Sequence, residues 1–179
     1  MTPLELVALT VAGQRDALMA SDVDAALVRL PLDRTGLHVI ALYDEVPVVV
    51  CAADSHLTAA DELTVDDLAG EVVIVPGDAV IEVPVPGSTP PAFAAPATTE
   101  EAIATVAAGV GVVIVPMSLA RLHHRKDAEY RPLAGALAST VALAWPEASV
   151  VDPEPAPASS LVDTFVGIVR GRTAHSSRG

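Results

Sequence analysis

The chain predicts an α/β fold, and three observations carry that reading. First, residues 98–116 form a helix–strand unit. Thr98 and Thr99 can cap a helix, Glu101 stands three residues after Thr98 as in a capping box, and the alanine-rich run Ala102–Ala108 follows. Gly109 sits where helices stop; Val112–Val115 is then wholly apolar and β-branched, as a strand covered on both faces requires, and Pro116 ends it. Second, Val46–Ala52 (VPVVVCA) is another short, strongly apolar run. Third, such runs alternate with short helical patterns along the chain. Its 179 residues can bury one good core, as one domain or as two small lobes.

Leu4–Leu9 is mostly apolar with weak alternation and reads as a strand. Gln14–Ser21 carries Ala17, Leu18 and Ala20 at helical spacing with charges opposite. Asp24–Leu30 is a buried strand closed by Pro31, and Gly36–Leu42 alternates as a further one. Leu63–Ala69 fits a short helix capped by Thr64, and Glu71–Val75 a strand. Across 78–96, Pro84, Pro86, Pro90, Pro91 and Pro96 remove donors and disfavour helix, which predicts an extended, mobile loop. Ser118 is expected to cap a short helix to His124; Arg131–Leu133 and Thr140–Trp145 supply the last strands. A Pro/Ala linker at 152–158 leads to an amphipathic helix, Ser160–Arg170, with Leu161, Phe165, Ile168 and Val169 on one face. Residues 171–179 look like a disordered basic tail.

Composition excludes several classes. The formal charge is −13, with one lysine (Lys126) among ten basic residues, which argues against this chain holding nucleic acid by itself. Cys51 is alone, so no intrachain disulfide forms, and the N-terminal stretch lacks the basic region of an export signal; both point to the cytoplasm. No apolar run approaches the roughly 18 residues of a membrane span. Zinc-type Cys/His spacing, a P-loop and a Gly-x-Ser-x-Gly elbow are all missing, so neither a metal nor a cofactor is expected. His123 and His124 beside Arg125 and Lys126 diverge around a helix and read as a solvated face; Cys51 reads as a small core residue.

The segment VAAGVGVVIVP, Val106–Pro116, resembles the signature of the effector-binding domain of LysR-type transcriptional regulators, whose fold is that of type 2 periplasmic binding proteins. The flanking order agrees: strand, helix, Asp-Ala-apolar strand, Gly-Leu strand, the VPVVV run, and the Leu63–Ala69 segment. Asp54-Ser55-His56-Leu57-Thr58 departs from the family's turn, and the proline-rich 78–96 stands where the family has a helix. The resemblance implies a two-lobed fold, lobe I being 1–46 plus 144–170 and lobe II 47–143, with two crossings near Val46 and Val141. It starts late: the family's first strand and helix, and the helix-turn-helix before them, have no counterpart, so an N-terminally truncated domain is expected. In the family's sheet that strand lies between the equivalents of Leu4–Leu9 and Asp24–Leu30. Those two strands then pair directly, another chain fills the gap, or the true start is upstream.

The same resemblance implies a small-molecule effector bound between the lobes, DNA contact only through a helix-turn-helix outside this chain, and no catalysis. Thr10 would reach the effector from the end of the first strand, though a turn role fits as well. Arg29, followed by Leu30, would close the strand Asp24–Leu30 and present a planar fork to a carboxylate; an ion pair with Asp33 or Asp44 is the competing role. Thr98 and Thr99 offer hydroxyls and N–H groups at a helix start, against plain capping there, and Pro76 stands on a lobe II loop, where it would equally just stop a strand. Alternatives are a stand-alone binding module, a non-DNA-binding partner of a full-length regulator, and a small α/β enzyme. Because the family dimerises through its first helix and the equivalent of Thr99–Ala108, this chain is predicted to dimerise poorly and to expose the Ala/Val face of that helix. Sedimentation at micromolar concentration checks this, and a tight dimer would contradict it.

Overall fold

The computed structural model describes residues 4–147 and 165–167. Two compact units emerge: Met1–Leu42 with Val141–Gly179, and Tyr43–Thr140. In the first, helix α1 (Gln14–Met19) precedes strand β1 (Ala26–Arg29) and strand β2 (Leu37–Glu45), and the chain returns as β7 (Ser139–Pro146). They form a three-stranded sheet in the order β1-β7-β2, with Ala26–Arg29 antiparallel to Val141–Ala144. Leu18, Ala26, Val28, Leu37, Ala142 and Ala144 make its small aliphatic core. His38 and Trp145 stack across the sheet with centroids 5.4 Å apart.

The second unit is built on β3 (Pro47–Ala52), β4 (Val73–Ile74), β5 (Val112–Pro116) and β6 (Ala128–Pro132), ordered β4-β5-β3-β6. Every residue of β3 and β5 is buried, as their unbroken apolar runs require. One face of this sheet packs against α2 (Thr99–Ala107) through Ala102, Ile103 and Val106, and against Ala120 of α3 (Met117–Leu122). Leu57, Leu63 and Leu68 cover the other face, joined by half-buried Ile81, Val83 and Val85. Arg131 ties β6 to the turn at 58–60, its guanidinium donating to the carbonyls of Ala60 at 2.8 Å and Thr58 at 2.9 Å.

Several expectations are corrected. Leu4–Leu9 is not a strand: the segment is exposed throughout, with Leu6 at 86%, and makes no ladder with β1. An apolar run becomes a strand only where a partner supplies backbone hydrogen bonds, and none of the described strands does so here. Ser118 is no cap, because α3 starts at Met117 after Pro116. The helix expected at Leu63–Ala69 is a single 3-10 turn, Asp66–Leu68, and Thr64 donates rather than accepts: its N–H and hydroxyl both reach Asp67 Oδ2 at 2.7 Å. On α2, Val106 is buried in the core, so the outward face is Glu100, Glu101, Ala104 and Ala108 rather than Ala/Val. Of the C-terminal helix expected at Ser160–Arg170, residues 165–167 are helical; the rest, the linker and the basic tail lie outside the described residues.

Two predictions follow from local geometry. Gly111 has φ +69°, and a Cβ there would stand 2.2 Å from the Val72 carbonyl oxygen. Gly111→Ala should cost at least about 3 kcal/mol in urea unfolding. Gly109→Ala, at φ +84° in open space, should cost only about 1–2 kcal/mol. Separately, the hydrogen bonds from Thr64 hold the Asp67 carboxyl below its ordinary value. A lowered folded-state value stabilises above the unfolded value of about 3.9 and is lost as pH falls through the lower folded one. Tm measured down the acid limb should therefore fall more steeply for the wild type than for Asp67→Asn.

Candidate functional site

In the first unit, the turn before α1 and the end of β1 are joined by one side chain. Gln14 opens α1, is 5% exposed, and its amide works as a short piece of backbone. Its Nε2 donates to the Arg29 carbonyl at 2.9 Å, and its Oε1 accepts from the Arg29 N–H at 3.1 Å. The Thr10 hydroxyl and carbonyl both accept from Gly13 N–H at 3.1 Å, one residue before Gln14. Thr10 is exposed, and Arg29 and Leu30 are half-buried. Asp33 and Asp44 each bond a further residue. Asp33 pairs with Arg15 at 3.2 Å, and its carboxyl is held low first by the Thr35 N–H and hydroxyl and then by the Arg15 charge. Asp44 accepts from the Thr140 hydroxyl at 2.6 Å.

In the second unit, the loop after β4 is laced to the segment entering α2. Gly77 N–H donates to the Pro96 carbonyl at 2.9 Å, and a Cβ on Gly77 would press to 3.1 Å from the Ala97 carbonyl oxygen. The buried Thr99 donates its hydroxyl to Asp78 Oδ1 at 2.8 Å. Thr98 caps α2, accepting from Glu101 N–H at 3.2 Å, while Glu101 Oε2 accepts from Ala97 N–H at 2.8 Å, one residue before the cap. Pro76, Thr98 and Thr99 are thus brought together, with Pro76 buried. Beside Pro76 a cavity of about 430 Å3 opens against Val73 and Ile114.

Gln14 and Asp78 were not legible as members of these clusters. Gln14 acts on a residue 15 positions away and Asp78 on one 21 positions away, and no local signal in the sequence marks either pairing. Cys51 is fully buried, and burial pushes its thiol up, which makes it an inert packing residue. Among the described residues no three His, Cys, Asp or Glu side chains converge to hold a metal, and no helix is long and apolar enough to cross a membrane.

Residues 2–172 match the family described as LysR substrate binding domain. The HTH-type transcriptional regulator CatR of Pseudomonas putida is 29% identical over 71% of this chain and 46% of its own length, so the chain spans about half of that relative. The reduced form of the OxyR regulatory domain from Pseudomonas aeruginosa superposes with a TM-score of 0.71 at 24% identity, over 90% of this chain and 78% of that one. A full-length BenM mutant gives 0.70 at 19% identity, over 94% of this chain and 56% of its own. The latter two show the shared fold. The chain belongs to the LysR substrate binding domain family, as an effector-binding regulatory domain of periplasmic-binding-protein-like α/β fold in a family of regulators rather than enzymes.

Proposed function

We propose that this domain senses a small organic anion for a cytoplasmic transcriptional regulator, with Arg29 as the anion's partner. In that regulator, as the name of the HTH-type relative CatR suggests, a helix-turn-helix element contacts DNA, while a domain of charge −13 repels phosphate. The observation that carries the reading is the double hydrogen bond from Gln14 to the Arg29 backbone, which fixes the residue bearing the guanidinium next to the Thr10 turn. A planar fork on a fixed backbone loses less freedom when it takes a carboxylate. Leu30, the next residue, supplies apolar contact. In the other unit, Pro76 supplies an apolar surface. Thr99 is buried and donates its hydroxyl to Asp78, holding the helix start; Thr98 is exposed, accepts from the helix and keeps its hydroxyl hydrogen to donate. With Glu100 and Glu101 in the first turn of α2, that side suits the neutral, hydrogen-bonding part of the effector rather than its charge. Effector binding alters the regulator by favouring one conformation or dimer arrangement, and only by its differential affinity for the two.

Thermal shift with a panel of small organic acids tests this on wild type, Arg29→Ala and Arg29→Lys. An acid that stabilises the wild type should bind Arg29→Ala roughly 10–150-fold more weakly, the worth of a charge-assisted hydrogen bond. Arg29→Lys should lie between them. Equal shifts in all three would remove Arg29 from the site.

A further inference from the structure

Within the 43–140 unit the proline-rich segment runs over the sheet as a strap fastened at both ends. At one end Gly77 donates to Pro96 and Thr99 to Asp78; at the other Gly70 N–H donates to the Gly87 carbonyl at 2.8 Å, and Thr89 N–H to the Glu71 carbonyl at 2.8 Å. Between these fastenings Ile81, Val83 and Val85 are half-buried toward the sheet, and Glu82, Pro84 and Pro86 are exposed. Pro84 and Pro86 have no N–H to give, so the strap cannot coil into a helix that would fill the space beneath it. What remains, between the strap and Ile114 of β5, is the cavity of about 430 Å3 that opens beside Pro76. That size falls within the roughly 300–1,000 Å3 usual for small-ligand sites. Apart from the exposed Glu82, the side chains that line it are apolar, Ala79, Ile81 and Val83 on the strap among them.

We propose that this cavity is an extension of the effector site, and that the effector is a monocarboxylate whose hydrocarbon tail lies under the strap; this rests on the reading of Arg29 as the partner of the acid group. Pro76 belongs both to the cavity wall and to the cluster with Thr98 and Thr99, so the cavity continues the surface that takes the effector's neutral part. It offers no buried polar side chain, so nothing there offsets the cost of stripping water from a polar group. Apolar walls do favour a hydrocarbon, by roughly twofold to fourfold in affinity per CH2, the lower figure suiting a cavity open on one side. That opening is what a tail needs when its charged head stays outside.

The test is methyl NMR on the full chain labelled at isoleucine, titrated separately with butanoate and heptanoate. It uses wild type, Arg29→Ala, and Ala79→Leu, which fills the cavity. Heptanoate should bind the wild type roughly 8–60-fold more tightly than butanoate, the worth of three buried CH2 groups. It should move the Ile81 and Ile114 methyls and leave Ile103, which packs on the other face of the sheet, in place. Ala79→Leu should abolish the preference for heptanoate, with unchanged butanoate binding and an unmoved Ile103 methyl reporting an intact fold. Arg29→Ala should weaken both acids and keep the ratio between them. Equal binding of the two acids, still Ile81 and Ile114 methyls, or an Ala79→Leu variant that keeps the preference would each overturn the tail's place, while weaker binding to Arg29→Ala would leave Arg29 in the site. Both acids binding Arg29→Ala as they bind the wild type would instead overturn the effector reading, and no binding of either acid would overturn both.

Discussion

The antiparallel pairing of β3 with β5 is the constraint on which the larger unit depends. Pro47–Val50 faces Val113–Pro116, and both strands are buried along their whole length. A sheet so placed has no solvated face, so both sides must be covered. Helix α2 does this on one side, and short leucine-bearing turns with the strap do it on the other. With only five aromatic residues in the sequence, the filling is done by valine, alanine, leucine and isoleucine. Short side chains bring backbones close together, and the cost appears at Gly111, where no side chain fits beside Val72.

The same economy explains how the candidate site residues are held. Neither cluster is fixed by large packed side chains. Single polar groups reach across instead: the Gln14 amide to the Arg29 backbone, and the Thr99 hydroxyl to Asp78. Such bonds are directional, so they fix orientation as well as position.

What was legible in the sequence was whatever local chemistry decides. The cap at Thr98, the stop at Gly109 and the apolar run from Val112 are neighbours in the chain, and α2 and β5 were readable to within two residues. Leu4–Leu9 has the composition of a strand but lacks a partner among the described strands, which no local pattern reports. The segment Leu63–Ala69 suggests a capped helix because Thr64 stands where an N-cap would, but the Thr64 hydroxyl donates to Asp67 instead and a three-residue turn suffices to bury Leu68. Of the candidate site, the six named residues fell into two clusters, one in each unit. The residues that organise those clusters were hidden, because a glutamine or aspartate carries no mark of a partner many positions away.

The prolines of the strap bear on solubility. Strand β4 is two residues long and stands at the edge of its sheet, where open backbone groups invite a foreign strand. Thr89 occupies the start of that edge, bonding to Glu71 and Val73. Beyond it runs a segment whose apolar residues are interleaved with Pro84 and Pro86, which have no N–H to donate. The strap can shield this edge yet cannot lengthen the sheet, which closes one route by which a chain half of whose residues are apolar could add a foreign strand.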